Sequence, residues 1–240
     1  MGLKTLLSAP CEGQGLGMTQ IRHKTDHQLK AAITDELAWT PSVKADRIGV
    51  ALTDGAVTLS GQVEIYPEKE AALRAAMRVR GVTAVADEIV VQHAWGAHED
   101  VDIAREAGIA FDQTVVVPSG SVKAAVHDHV ITLSGMVDWQ FQREAARRAV
   151  ATLPGVSGVR NRITLKPSKV VTPAEAKAKI TAALVRNAQM DAKHVQVAVT
   201  GTEVRLTGTV SSWAERRQAE HAAYFAPGVT DVDNRLHVTS

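Results

Sequence analysis

Apolar and polar residues alternate along this chain in a pattern that occurs three times. Each copy begins with apolar residues four positions apart, which predicts a helix that buries one face. Two runs of alternating apolar and polar residues follow and predict a strand hairpin, and an alanine-rich helix and a valine-rich strand complete the copy. The apolar positions of the three first helices are Leu29, Ile33 and Leu37; Ile103, Ala107 and Phe111; and Ala176, Ile180 and Leu184.

Two glycines mark every copy at a fixed separation. The first glycine ends a segment such as Val57-Thr58-Leu59-Ser60-Gly61, and the second, twenty residues later, precedes a valine. The pairs are Gly61 and Gly81, Gly135 and Gly155, and Gly208 and Gly228. The first glycines of successive copies are 74 and 73 residues apart. So regular a period predicts tandem copies of one small domain, in which the recurring glycines serve the fold.

The copies divide the 240-residue chain into a leader and three domains. We predict a flexible leader over 1–25 and domains over 26–92, 98–167 and 172–240. The fold class is α+β: each domain is an αββαβ unit with a three-stranded mixed sheet packed against two helices. Two strand orders fit this pattern, and the usual geometry of helical crossovers favours a last strand parallel to the second. Connectors of about five residues predict a compact or gently curved row of domains.

Charge and cysteine content exclude several classes of protein. Lys and Arg number 27 and Asp and Glu 26, so the formal net charge is +1, and no domain is strongly basic. Nucleic-acid binding normally requires a basic surface that neutralises several phosphates, so no nucleic-acid partner is expected. The single cysteine, Cys11, excludes an intramolecular disulfide and a zinc site built from cysteines.

The sequence predicts a cytoplasmic location, with the periplasm as the alternative. No run reaches the roughly 18 apolar residues of a membrane-spanning helix. The apolar start is interrupted at Lys4, which does not fit a secretory signal, and Pro10 before Cys11 does not fit a lipoprotein cleavage site. Met18, which directly precedes the repeats, is a second candidate start.

The repeated pattern resembles the BON domain, named for bacterial osmotically inducible and nodulation proteins. The shared features are the valine-x-leucine-serine-glycine segment, a helix with small residues, the glycine-valine pair and a closing valine strand. The resemblance covers about 26–240, three times, and a chain of three such units is similar to the OsmY-like stress proteins. It implies a bacterial, non-enzymatic module linked to osmotic stress and transport, which binds phospholipid surfaces or membrane-associated partners.

Aromatic and basic residues meet where each hairpin leads into the second helix. Trp139 and Trp213 follow the repeat glycine by four and five residues, and Tyr66 stands at this place in the first copy. Rings with a polar edge beside arginines are typical of a lipid headgroup boundary. The candidate lipid- or partner-binding residues are therefore Tyr66, Trp139, Arg143, Arg147, Trp213, Arg216 and Arg217.

A structural role is open for the same rings, which would also cover a helix N-terminus and seal the edge of a core. Trp39 and Trp95 stand near domain boundaries, so we expect both to pack between repeats. His127 and His129 alternate and could touch one metal ion, but no third ligand stands at motif spacing, which favours a solvated turn.

No catalytic residue, metal site or cofactor is predicted. Ser60 and Ser134 lie in leucine-serine-glycine segments, but these segments have the pattern of strands and the third copy carries Thr207 instead. The glycine-x-serine-x-glycine elbow that exposes a nucleophile is absent.

We therefore predict a non-enzymatic binding protein whose domains contact anionic phospholipid or a membrane-associated protein. One alternative is a soluble adaptor that uses exposed sheet edges to pair with a partner or with itself as a homo-oligomer. A further alternative is a cytosolic sensor of cations or small ligands.

Overall fold

The structure is a computed structural model of the chain, and it describes residues 26–53, 56–92, 98–166, 172–186 and 194–239. The predicted leader over 1–25, the first hairpin turn at Asp54 and Gly55, and Trp95 lie outside the described residues. Within them, the predicted order of helix, strand, strand, helix, strand occurs three times.

The three domains have matching elements. Domain 1 (26–92) contains α1 (Asp26–Trp39), β1 (Ile48–Thr53), β2 (Ala56–Val63), α2 (Tyr66–Arg78) and β3 (Ala84–Val91). Domain 2 (98–167) contains α3 (Asp100–Gln113), β4 (Val122–His127), β5 (Val130–Val137), α4 (Gln140–Ala151) and β6 (Gly158–Leu165). Domain 3 (172–240) contains α5 (Pro173–Arg186), β7 (Val195–Thr200), β8 (Glu203–Val210), α6 (Trp213–Tyr224) and β9 (Asp231–Val238).

The second strand of each hairpin lies at the centre of its sheet. In domain 1, β1 pairs antiparallel with β2, and β3 pairs parallel with β2 on the other side, so that Gly61 lies between Ile48 and Ile89. Domains 2 and 3 repeat this order and register. The prediction that the last strand lies parallel beside the second is confirmed, with the second helix as the crossover between them.

The first repeat glycine stands where two strands approach too closely for any side chain. Its φ is +129° at Gly61, +135° at Gly135 and +120° at Gly208, a region that L-residues rarely adopt. A Cβ atom on Gly135 would lie 2.1 Å from the carbonyl oxygen of Ser121 at the start of β4. The other two glycines face equally close carbonyl oxygens. Backbone geometry therefore accounts for this glycine in every copy.

Each domain has a hydrophobic core of its own. The core of domain 1 joins the apolar stripe of α1 to alternate residues of β2 and to the alanines of α2, whose small side chains let that helix lie close to the sheet. Its fully buried members are Ile33, Leu37, Val57, Leu59, Val63, Ala72, Ala75, Ala76 and Val82. Corresponding residues form separate clusters in domains 2 and 3. The chain is thus three folded units.

The hairpin of domain 2 turns without glycine. Asp128 and His129 both have positive φ, +49° and +62°, so two non-glycine residues take the left-handed conformation that a tight hairpin turn requires. The carboxylate of Asp100 at the start of α3 accepts hydrogen bonds from the backbone N–H groups of both residues, each at 3.0 Å. These bonds from a neighbouring helix stabilise a turn that is otherwise unfavourable.

The three domains contact one another in a closed group, which corrects the expectation of a row. Tyr66 of domain 1 and Tyr224 of domain 3 both pack against the core of domain 2. Domain 3 also reaches domain 1, because the indole N–H of Trp213 donates a hydrogen bond to the carbonyl oxygen of Val82 at 3.1 Å. Trp39, which we expected between repeats, is instead 82% exposed. It ends α1 on the outside of its own domain.

Candidate functional site at the strand-to-helix corners

We call the segment between the central strand and the second helix the corner of a domain: 62–67, 136–141 and 209–214. A side chain at the third helical position holds each corner. Glu68 accepts hydrogen bonds from the backbone N–H groups of Lys44 and Glu64, at 2.9 and 3.3 Å. Gln142 accepts two such bonds at 3.0 Å, and Glu215 accepts one at 2.9 Å. Our sequence analysis missed these residues, although Glu or Gln three positions after a helix cap is a known signal.

The next residue in each second helix is basic, and in two domains it ties the helix to the last strand. Lys69 and Arg216 donate to carbonyl oxygens of that strand at 2.7 and 3.1 Å. Arg143 differs, because its guanidinium carbon lies 5.7 Å from the centroid of the Tyr224 ring in domain 3. Among the described residues its buried Nε has no hydrogen-bond partner. Arg143 therefore contributes to the joint between domains 2 and 3.

The corner of domain 3 is turned towards domain 1. Trp213 is half-buried, and its indole N–H is bonded to Val82. The guanidinium carbon of Arg216 lies 5.0 Å from the ring centroid of Trp213, a cation–π contact. The Trp213 ring thus has one partner at its edge and another over its face, and both belong to this chain.

The corner of domain 1 is turned towards domain 2. The Tyr66 hydroxyl donates to Glu70 at 3.2 Å, and the same carboxylate accepts a 2.6 Å bond from Arg147 of α4. Burial raises the pKa of Tyr66, and the charge of Glu70 raises it further. Burial works to lower the pKa of Arg147, but the ion pairs with Glu70 and Glu144 outweigh it and hold that pKa above its ordinary value. This half-buried ion pair joins the two domains.

The corner of domain 2 is different, since its large apolar residues face solvent. Met136 is 54% exposed, Trp139 is 43% exposed and Phe141 is 45% exposed. The equivalent positions hold Gln62, Ile65 and Pro67 in domain 1, and Thr209, Ser212 and Ala214 in domain 3. Domain 1 exposes one large apolar residue at its corner, Ile65 at 57%, so the second copy is distinguished by exposing three.

A groove of about 630 Å³ runs beside this corner, between α4 and α6. Phe141 and Arg148 line it from domain 2, and Arg217, His221 and Phe225 line it from domain 3. Phe225 is also exposed, so two phenylalanines stand at the groove beside cationic side chains. Glu144 and Glu220 line the groove too, so it combines an apolar rim with charges of both signs.

Arg217 lies at the junction of this groove with domain 1. Desolvation lowers its pKa, and the nearby guanidinium groups of Arg74 and Arg78 on α2 lower it further. In the part of the chain that the structure describes, no carboxylate forms an ion pair with Arg217. Like charges therefore face each other where domain 3 meets domain 1.

Among the described residues, no group of three or more His, Cys, Asp and Glu side chains could hold a metal ion. The candidate His127 is exposed and lies 3.5 Å from the Asp128 carboxylate, while the His129 ring contacts the carbonyl oxygen of Gly155 at 3.0 Å. No helix over the described ranges is long and apolar enough to cross a membrane.

The structure brings the candidate residues together in part. Tyr66 and Arg147 meet at the joint of domains 1 and 2, whereas Trp213 and Arg216 meet beside domain 1. Trp139 faces solvent, as do Met136 and Phe141, which the sequence analysis did not name. They could have been found by comparing the three copies, because the corner of the second copy has more large apolar residues than the other two. That the candidate residues bind lipid or a partner stays a prediction.

The chain belongs to the BON domain family, whose profile matches it three times, over residues 25–93, 99–167 and 173–240. The matches coincide with the three αββαβ domains, so the predicted resemblance is confirmed. The chain is also similar to the osmotically-inducible protein Y of Escherichia coli (strain K12), with 33% identity over 144 residues, which cover 58% of this chain and 70% of that protein.

Two solved structures of CdsD, a structural protein of the type III secretion system of Chlamydia trachomatis, also match. One, of its C-terminal domain, is 14% identical with a TM-score of 0.26 and covers 90% of this chain and 100% of that chain. The other is 15% identical with a TM-score of 0.26 and covers 87% of this chain and 91% of that one.

Proposed function

We propose that this protein is a non-enzymatic, stress-associated protein that binds the surface of anionic phospholipid membranes through the corner of domain 2. The stress association is supported by the similarity to an osmotically inducible protein. The observation that carries the binding proposal is the exposure of Met136, Trp139 and Phe141 together on one corner.

The corners differ in what their side chains contact. Tyr66 and Trp213 are engaged by neighbouring domains, which leaves little of either ring for a membrane. Trp139 and Phe141 flank Gln140, and all three belong to the segment that starts α4. Trp139 is the N-cap of α4 and Phe141 its second residue, so the two exposed rings leave the start of this helix on different sides.

Basic residues lie on both sides of the exposed corner, each beside a carboxylate. Lys166 lines a small cavity with Trp139 and Asp138, and Arg148 lines the groove with Phe141 and Glu144. Each basic residue held near an anionic surface contributes about 1 kcal/mol to binding, and aromatic rings favour the headgroup region. A shallow contact that combines apolar insertion with charge suits a peripheral protein.

The repeated hydroxyl residues support a role without catalysis. Ser60, Ser134 and Thr207 lie on the central strands of the three sheets. Each is paired with a residue of the neighbouring edge strand in its own domain. An exposed nucleophilic serine often stands on a strained strand-to-helix turn, and these three residues lie within strands instead.

Co-sedimentation with vesicles tests the proposal. The full chain should pellet with phosphatidylcholine vesicles that contain phosphatidylglycerol and should stay in solution with phosphatidylcholine alone. Phe141→Ala and Trp139→Ala should each reduce pelleting, with folding checked by circular dichroism. Trp39→Ala is the matched control, because it removes a more exposed tryptophan far along the chain from this corner. Equal pelleting of all variants, or none by the wild type, would contradict the proposal.

Self-association is the second candidate function. The strands β1, β4 and β7 each pair on one side only within their sheets, so their outer edges can add a strand. Light scattering without lipid distinguishes the two functions, since an assembly module forms a defined oligomer that grows with protein concentration. A monomer at every concentration would exclude this candidate.

A further inference from the structure

The joint between domains 1 and 2 is closed by opposite charges. Glu70, nine residues after the repeat glycine of domain 1, accepts a 2.6 Å bond from Arg147 of domain 2. Such a charge-assisted bond between a guanidinium and a carboxylate is short and strong. The chain therefore uses this helical position to hold one domain to the next.

The same position carries the opposite charge at the joint between domains 3 and 1. Nine residues after the glycine of domain 3 stands Arg217. It follows Trp213 by four residues, so both side chains lie on the face of α6 that meets domain 1. On the facing helix α2, which contacts α6, Arg74 and Arg78 are also four residues apart. The two contacting helices therefore bring three arginines to this joint, where the other joint has an ion pair.

The carboxylates near this joint are already engaged. Glu70 contacts Arg74 at 3.5 Å but also binds Arg147, and Glu36 binds Arg78 at 2.7 Å. Glu220, one turn after Arg217 on α6, accepts a bond from Asn234 at 3.1 Å. Glu144 lines the groove with Arg217 but pairs with Arg147 at 3.2 Å, so no described carboxylate pairs with Arg217, which is open to solvent.

We propose that Arg217, Arg74 and Arg78 form a binding site for a phosphate-type dianion, which bridges domain 3 to domain 1. Guanidinium groups bind phosphate oxygens through paired N–H donors, so a tetrahedral dianion can bind Arg217 and share Arg74 and Arg78 with Glu70 and Glu36. Free phosphate and the phosphomonoester headgroup of phosphatidic acid share this chemistry. The site is separate from the exposed corner of domain 2 and does not depend on membrane binding there.

Binding should stabilise the closed arrangement of the domains. An anion that binds only when Arg217 faces Arg74 and Arg78 favours the conformation in which Trp213 contacts Val82. Phosphate at constant ionic strength should therefore raise the unfolding temperature of the full chain in a saturable way. It should also shift the NMR resonance of the Trp213 indole N–H, which is assigned with Trp213→Phe.

Arg217→Gln tests the site directly and should weaken phosphate binding, measured by calorimetry, by about tenfold or more. Arg160→Gln is the matched control, since it removes the same charge from an exposed arginine on β6 of domain 2. It should leave phosphate affinity unchanged. Equal affinity of Arg217→Gln and the wild type would overturn the proposal.

Arg217→Glu provides a second and opposite test. It places a carboxylate at the position that Glu70 occupies in domain 1, where it can pair with Arg74 and Arg78. This variant should unfold at a higher temperature than the wild type in chloride and should not respond to phosphate. A phosphate response like that of the wild type would count against the site.

Vesicles that contain phosphatidic acid identify the source of the anion. A response to inorganic phosphate alone assigns a free anion, and a response to both assigns the lipid headgroup as well. No response to either probe overturns the proposal. Phe141→Ala should keep the phosphate response, which separates this site from the membrane contact of domain 2.

Discussion

The indole N–H of Trp213 in domain 3 donates a hydrogen bond to the carbonyl oxygen of Val82 in domain 1, at 3.1 Å. Tyr66 holds the same position in domain 1 and packs against domain 2, and Gln140 holds it in domain 2 and shares a small cavity with Tyr224 of domain 3. Each corner thus meets a different neighbour. Head-to-tail contacts of this kind build either a closed ring or an open-ended row. In this chain the three domains form a closed ring.

The bond between Trp213 and Val82 should contribute measurably to stability. Trp213→Phe keeps an aromatic ring but removes the N–H donor, which should lower the free energy of unfolding by about 1 kcal/mol in urea. Trp39→Phe, on an exposed ring, should change it by less than about 0.5 kcal/mol. An equal effect of the two changes would show that the joint adds nothing to stability.

The Tyr66 hydroxyl should make stability fall at alkaline pH. Burial and Glu70 raise its pKa above the ordinary value of about 10, so the folded protein favours the protonated phenol. A group whose pKa is raised on folding gives its full contribution below the unfolded pKa and loses it as pH rises through the folded one. Urea unfolding above pH about 10 should therefore show a steeper loss for the wild type than for Tyr66→Phe. Tyr224→Phe, which leaves Tyr66 intact, should keep the steeper loss.

The strand approach at Gly135 should make this position intolerant of any side chain. Gly135→Ala places a Cβ atom 2.1 Å from the Ser121 carbonyl oxygen at a φ of +135°, and should cost about 3 kcal/mol or more of stability. Gly108→Ala is the control, because a Cβ atom there has nothing within 4 Å. In the interior of α3 it should raise stability by about 0.5–1 kcal/mol. A small loss at Gly135 would mean that β4 can move away.

The order and pairing of the elements could be predicted because each copy repeats a local signal. The spacing of Leu29, Ile33 and Leu37 and the alternation along β2 are properties of short segments, and both predicted the buried faces correctly. The glycine-free turn at Asp128 could not be foreseen in the same way. Its stability depends on Asp100, which lies 28 residues earlier in the sequence.

The contacts between domains could not be predicted from the sequence, and the reason is physical. An aromatic residue with a polar edge, such as Tyr66, Trp139 or Trp213, suits a lipid boundary and a domain interface equally well. Which environment it meets depends on how folded domains pack, and no local pattern records that packing. The same limit explains why Trp39, expected to be packed, is exposed. Differences between equivalent positions, such as Glu70 and Arg217, indicate more about the contacts between domains than residue type alone does.

The side chain at the third position of each second helix should stabilise its corner through its hydrogen bonds. Glu68 and Gln142 occupy equivalent buried positions and both accept two backbone N–H bonds, although only Glu68 can carry a charge. Glu68 accepts each bond through a different oxygen, so Glu68→Gln keeps one bond, turns an NH2 donor towards the other N–H and should cost about 1 kcal/mol or more. Glu68→Ala leaves two part-buried N–H groups without their acceptor and should cost more, up to about 3 kcal/mol.

Urea unfolding of the two variants, beside Glu88→Ala as an exposed control on β3, measures the difference. The control should lie within about 0.5 kcal/mol of the wild type, because its side chain is exposed. If Glu68→Gln were as stable as the wild type, one of the two N–H groups would not need the carboxylate as its acceptor. The corner of domain 1 would then be held by the remaining bond alone, whereas Gln142 accepts both bonds of domain 2 through one oxygen.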